Sequence, residues 1–261
     1  MKLINQLTKK DIKNIKLLCF DCDGVTVKEG THIEEKGEEL VVKTASLTKQ
    51  MAEKLKRLKK RFFLVFSSGR SLLYVSRMYE KILWDRVTLQ AEGGLFTLYQ
   101  GKVFQLGKFT SHFLEKSFKI KMAIRQLSQT NTNISGFEPK QFLITVHCQN
   151  KEPAVPGLVE KYDPEKEYQC LWSGEAYDIG PKIFNKGIGL RFLVDKMGLK
   201  MENVLAVGND PNDKEMVEWA RVSITTDPKS VTKGADFITK KRGVFGGEEV
   251  VDKLLELMSN E

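Results

Sequence analysis

The sequence predicts an α/β protein: a Rossmann-like, doubly wound parallel sheet interrupted by a smaller inserted α/β unit. Four short apolar runs carry the first part of this reading, Leu17–Phe20, Phe62–Phe66, Val87–Leu89 and Val204–Val207. Strands buried on both faces read as such continuous runs, and segments of helical periodicity separate them here. Polar residues and glycine follow the first, second and fourth runs, where a parallel sheet places its ligand-binding edge. Residues 107–180 break the alternation with a different texture, which marks the insertion.

The chain has 261 residues, 41% apolar and 29% charged, enough to bury a sizeable core. No apolar run is long enough to cross a membrane. The first fourteen residues, rich in Lys and Asn, lack the apolar core and cleavage site of a signal peptide, so a cytoplasmic protein without a membrane partner is expected. A net charge of +8 and a pI near 9.1 admit an anionic partner. Lys54, Lys56, Lys59 and Lys60 interrupt a helical pattern as its solvated face, so nucleic acid is not expected. Cys19, Cys22, Cys148 and Cys170 are read as reduced thiols, Cys19 lying inside an apolar strand. The sequence leaves the oligomeric state open.

Leu17–Phe20 stops at Asp21, Asp23 and Gly24, an arrangement that fits either an Asp-rich turn or a carboxylate pair sharing a cation. Lys28 to Lys43 is polar and reads as an exposed excursion. Leu47, Met51, Leu55 and Leu58 recur at helical spacing and lead into the second strand, which ends at Ser67, Ser68, Gly69 and Arg70. A helix begins near Ser71, so Ser68 is either a plain N-cap or a hydroxyl facing an anion at the positive helix end. After Val87–Leu89 comes a hairpin through Gly101 to Phe104. Ser111–Leu127 reads as a helix, and Gln141–Cys148 and Leu171–Ile179 as strands, with loops at Pro153, Pro156 and Pro164. Leu190, Leu193, Val194 and Met197 mark a helix that opens at Lys186, the wrong end for a cation unless an anion lies nearby. After Val204–Val207, the loop from Gly208 to Asp213 crowds together Asn209, Asp210, Asn212 and Asp213.

D-C-D-G, S-S-G-R, N-K-G and G-N-D-P-N-D, in this order and after matching strands, resemble the four motifs of the haloacid dehalogenase superfamily. The stretch from Lys233 to Val251 resembles the tail of its sugar-phosphatase branch, in which an α/β cap is inserted at this position. The segments Phe142–His147 and Tyr177–Gly187 are similar to parts of trehalose-6-phosphate phosphatases, and sucrose phosphatases share the plan. The resemblance implies a catalytic core of residues 1–106 and 181–261 with a specificity cap of residues 107–180.

It also implies a Mg²⁺-dependent phosphomonoesterase acting on a sugar phosphate. Asp21 would be the nucleophile and Asp23 the general acid and base. Ser68 and Lys186 would complete the catalytic set, and Gly69 and Arg70 would help bind the phosphoryl group. Lys140, His147 and Glu175 would meet the sugar, and Trp172 would stack on it or fill the cap core. Mg²⁺ would be held among Asp21, Asp23, Asn209, Asp210 and Asp213, since a hard cation wants oxygen ligands. Family members usually carry Asp where this chain has Asn209, which removes one negative charge. A phosphosugar mutase using the same aspartyl-phosphate and a non-catalytic sugar-phosphate sensor are the alternatives, and Asn209 is the hint for the latter.

Overall fold

Leu17, Leu18, Cys19 and Phe20 are wholly inaccessible to solvent, as their unbroken apolar run demands of a strand covered on both faces. The computed structural model describes residues 1–227 and 234–259, so Lys233 lies outside the described residues. Strand β1 (Lys2–Leu3) and the one-turn helix α1 (Lys9–Ile12) precede β2 (Leu17–Asp21), and a hairpin of β3 (Thr31–Lys36) and β4 (Glu39–Thr44) follows. Helix α2 (Lys49–Leu58) leads through β5 (Phe63–Ser67) and α3 (Leu72–Tyr79) to β6 (Val87–Ala91), β7 (Phe96–Tyr99) and β8 (Lys102–Gln105). Next come α4 (Ser111–Ser128), β9 (Ile134–Phe137), β10 (Ile144–Cys148), α5 (Ala154–Tyr162), β11 (Tyr168–Trp172) and β12 (Ala176–Pro181). The rest is α6 (Lys186–Lys196), β13 (Val204–Gly208), α7 (Lys214–Trp219), β14 (Val222–Thr225), β15 (Phe237–Ile238) and α8 (Gly243–Ser259).

The chain forms two compact units, one of Met1–Glu29, Ala45–Leu106 and Asn185–Glu261, the other of Gly30–Thr44 and Gly107–Phe184. The expected division is therefore corrected at two places. Residues 30–44, exposed as expected, are a paired hairpin grouped with the second unit and not with the first, and the return to the first unit falls at Asn185 instead of residue 181.

In the first unit the sheet order is β1-β15-β14-β13-β2-β5-β6-β7-β8, parallel from β1 to β6 and antiparallel at the β7–β8 edge. The chain leaves β2 toward β5 on one side and returns later as β13 on the other, so β2 stands at the switch point where such sheets bind ligands. Register puts Asp21 opposite Ser67 and Phe20 opposite Val207, which brings three motif-bearing strand ends level. One face of the sheet is covered by Leu190, Leu193 and Val194 of α6 and Met216 and Val217 of α7, packed on Leu17, Cys19 and Val65. Each fully buried aliphatic side chain of this kind contributes roughly 2 kcal/mol of transfer free energy. Helix α6 starts where it does because the Asn185 side chain accepts from the Ile188 N–H at 2.9 Å, which fixes Lys186 in the first turn.

The second unit has an antiparallel sheet in the order β11-β12-β10-β9, with Ile120, Ile124, Val146, Val155, Tyr177 and Ile179 in its core. The single strand expected over Leu171–Ile179 is two strands of a hairpin, turned at Ser173–Glu175 with Gly174 at φ +99°. Part of the proline-rich stretch expected to be loop is α5. Pro153 is its N-cap and Pro156 lies in its first turn, where a missing N–H costs no helical hydrogen bond. Trp172 is partly buried against this core, its ring 4.8 Å from that of Tyr177.

Lys116 of α4 is buried, and its Nζ lies 2.9, 2.8 and 2.5 Å from carboxylate oxygens of Asp163, Glu165 and Glu167. Those three acids lie close enough together to hold a metal ion, but an ammonium group already satisfies them. Burial pushes the Asp163 carboxyl up, yet hydrogen bonds from Lys116 and the Tyr168 N–H outweigh it and hold the group below the usual carboxylate range. Lys116→Met strands this acid and is expected to lower stability by about 3 kcal/mol at neutral pH. Because the folded value is depressed, the wild-type advantage is present above about pH 4 and fades as pH falls through that lower value. Thermal unfolding of the two proteins from pH 7 to pH 2 checks this: the curves should converge in acid, and a constant offset would overturn it.

Candidate active site

Asp21 ends β2 with a buried side chain, and the chain then reverses: the Gly24 N–H donates to Val27 O at 2.9 Å, and the Thr26 and Val27 N–H groups donate to Cys22 O. Gly24 makes that reversal with φ +72°, a conformation other residues avoid. Lys186 reaches the same point from α6. Its Nζ lies 2.5 Å from Asp21 Oδ1 and 2.6 Å from Asp213 Oδ1, and 3.3 Å from Asn212 Oδ1. The other oxygen of Asp213, Oδ2, accepts the Asn209 and Asp210 N–H groups at 2.9 and 3.0 Å, which folds the loop after β13 around it.

Two buried carboxylates therefore share one buried ammonium. Burial would lower the Lys186 value, but Asp21 and Asp213 outweigh it and raise it well above the ordinary lysine range. Burial and then the charge of Asp213 push Asp21 well up, and Lys186 offsets them only in part. This is the anion that accounts for a lysine at the positive end of α6.

Asp23 is paired with Arg70, which donates from Nε to Oδ2 and from Nη2 to Oδ1, both at 2.8 Å. Arg70, expected to help bind the phosphoryl group, has Nε and Nη2 committed to a carboxylate of the first motif in this structure. Ser68 is buried, and its Oγ accepts the Arg70 N–H at 3.1 Å; the residue capping α3 is Ser71, so the plain N-cap reading of Ser68 fails. A Cβ on Gly69 would meet nothing within 4 Å, so packing does not demand glycine there.

The predicted metal residues separate into two kinds. Asp213 has both oxygens engaged by Lys186 and backbone amides, so it positions the others, and Asp210, an exposed residue, contributes its N–H to that loop. Asn209 is buried, and its Oδ1 accepts no hydrogen bond among the described residues. A buried acceptor without a donor is costly unless a cation takes it. That oxygen, an under-neutralised carboxylate pair and all-oxygen donors fit a hard divalent ion, which Asp21, the Asp23 carbonyl and Asn209 would hold.

In the second unit, His147 is buried with Nε2 2.9 Å from Glu138 Oε1. Lys140 Nζ is 3.3 Å from both Glu138 Oε2 and Asp178 Oδ1 and also donates to Thr145 Oγ1. Thr145 and His147 alternate along β10 with Ile144, Val146 and Cys148, whose side chains fill the core. The Glu175 carboxylate accepts the Thr31 N–H at 3.1 Å and so ties the β3–β4 hairpin to the turn before β12. Sequence reasoning missed Glu138 and Asp178, the acids that neutralise Lys140, and Glu29, which meets Asn209. All four cysteines are free. Cys19 and Cys22 have C-x-x-C spacing, but burial raises both thiols and removes the low-value thiolate of a redox pair. No helix among the described residues is long and apolar enough to cross a membrane.

A haloacid dehalogenase-like hydrolase family model matches residues 121–246. Phosphoglycolate phosphatases from Staphylothermus marinus and Methanobrevibacter smithii are each 27% identical to this chain, over 113 and 128 residues. These matches cover 41% and 48% of this chain and 47% and 53% of the relatives, so the chain spans about half the length of the curated relatives it matches. Among solved structures, the C-terminal domain of Candida albicans trehalose-6-phosphate phosphatase superposes with a TM-score of 0.68 at 18% identity, covering 96% of this chain and 94% of that one. A haloacid dehalogenase-like hydrolase from Bacteroides thetaiotaomicron gives 0.66 at 15% identity, with 94% and 99% covered. At such identities the likeness is one of fold. The family match covers just under half of the chain, and the shared fold agrees with it: over residues 121–246 the chain is similar to haloacid dehalogenase-like hydrolases.

Proposed function

We propose that the chain is a Mg²⁺-dependent phosphomonoesterase that releases phosphate from a small-molecule sugar phosphate. The observation that carries this reading is the buried Asp21–Lys186–Asp213 group at the carboxyl edge of the central strand, beside the Asp23–Arg70 pair. The Asp21 oxygen that does not face Lys186 attacks phosphorus as the bond to the leaving oxygen breaks, giving an aspartyl-phosphate. Asp23 gives a proton to the leaving oxygen, then takes one from the water that attacks the aspartyl-phosphate, and inorganic phosphate leaves with Asp21 restored. For either transfer Arg70 must give up part of its fork on Asp23. Ser68 and Lys186 hold phosphoryl oxygens where negative charge builds. When bound, Mg²⁺ neutralises charge on the phosphoryl group and on Asp21. Lys140, His147 and Glu175 are proposed to read the sugar.

A second reading has specific support. The relatives named phosphoglycolate phosphatase suggest a leaving group that is a small carboxylate instead of a polyol. Phosphate release should be measured with Mg²⁺ or EDTA on trehalose-6-phosphate, sucrose-6-phosphate, mannosyl-3-phosphoglycerate, hexose phosphates and phosphoglycolate. Mg²⁺-dependent turnover concentrated on one disaccharide phosphate is expected. Turnover confined to phosphoglycolate would replace the sugar, and no release from any of them would favour the mutase or sensor.

A further inference from the structure

The loop after β13 carries an amide, Asn209, where the family that the motifs resemble usually carries a carboxylate, and the structure sets another carboxylate against it. Asn209 Nδ2 donates to Glu29 Oε1 at 3.3 Å. The two groups meet over Gly24: a Cβ there would lie 2.0 Å from Glu29 Oε1 and 2.7 Å from Asn209 Nδ2. Gly24 is therefore required twice, for its left-handed backbone and for this close approach. With its nitrogen committed to Glu29, the Asn209 amide presents its oxygen on the opposite side, and that Oδ1 is the buried atom without a hydrogen bond among the described residues. Both residues belong to the first unit.

We propose that Glu29 and Asn209 together replace the missing aspartate: Asn209 offers the ligand oxygen, while Glu29 orients it through the amide nitrogen and returns the negative charge to the cation site. The inference rests on the Mg²⁺ reading above. Glu29 is a positioning residue in this account, analogous to the outer carboxylates that hold metal ligands in register. A mere tether of one loop to the other would need an acceptor at residue 29 but no charge, and that difference can be measured.

Mn²⁺ binding to the full chain, followed by electron paramagnetic resonance at fixed ionic strength, tests it without reference to turnover. Glu29→Gln keeps an acceptor for the amide and removes the charge, and should weaken Mn²⁺ by about tenfold. Asn209→Asp alone sets two carboxylates face to face and should gain little. The Asn209→Asp/Glu29→Gln double variant restores the usual pattern and should bind at least as tightly as wild type, so the two effects are strongly non-additive. Thermal unfolding in EDTA verifies that each variant is folded. Glu29→Gln binding like wild type, or additive effects, would overturn the inference alone. Wild type that takes up no Mn²⁺ would overturn the metal reading and this inference with it.

Discussion

Asp21→Asn is expected to reduce phosphate release by about a thousandfold or more while leaving the protein as stable as wild type or more so. An amide of the same shape cannot attack phosphorus, so the activity loss follows from the nucleophile's role. The stability outcome follows from the charges. Asp21 is buried and faces Asp213, and one ammonium serves both. Removing one of two crowded carboxylates leaves a one-to-one pair between Lys186 and Asp213. The pH dependence has a definite sign. The folded value of Asp21 is raised, so metal-free wild type is most stable in acid and loses stability as pH rises from about 4 toward that raised value, whereas the Asn variant lacks this slope. Phosphate release and thermal unfolding in EDTA between pH 4 and pH 8 check both halves. Full turnover in the variant would remove Asp21 from the mechanism, and a large loss of stability at neutral pH would contradict the charge argument.

The elements that carry the motifs were the legible ones, for a local reason. Strands β2, β5 and β13 are buried on both faces, so their sequences are unbroken apolar runs, and the polar residues that follow announce where each run ends. The β3–β4 hairpin gives no such signal: Ile33 is its one buried residue, and a ribbon wet on most sides reads as polar chain. The four-residue β9 is too short for a pattern, and the prolines of α5 suggest loop until their places in its first turn are known. Candidate site residues could be named where a motif lies within a few positions of one strand end. Their pairings could not be, because these depend on how loops from separate strands face each other. Arg70 was named from the resemblance as a phosphoryl-binding candidate, and its pairing with Asp23 across the strand ends was not foreseen. Lys140 and His147 were named as candidate sugar contacts, and the acids they pair with in the structure, Glu138 and Asp178, come from other parts of the second unit's sheet region.

Lys186→Met should affect stability in the opposite sense to Asp21→Asn while costing as much activity. Methionine fills the volume of the lysine stem but leaves Asp21 and Asp213 facing each other in the interior without a cation. Breaking a buried pair from one side costs about 3–5 kcal/mol, a large part of the roughly 5–15 kcal/mol that holds a typical domain folded. The loss should shrink in acid, since protonating either carboxylate removes the repulsion. Adding Asp21→Asn to Lys186→Met takes away one of the stranded charges and should recover stability without recovering turnover. Such a rescue separates the two jobs proposed for this lysine, holding the site together and binding the phosphoryl group. Denaturant unfolding of the four proteins in EDTA at pH 5 and pH 8, beside their phosphate-release rates, supplies the cycle. If Lys186→Met unfolds like wild type at pH 8, the ammonium is not what makes two buried carboxylates tolerable, and the electrostatic account of the site fails with it.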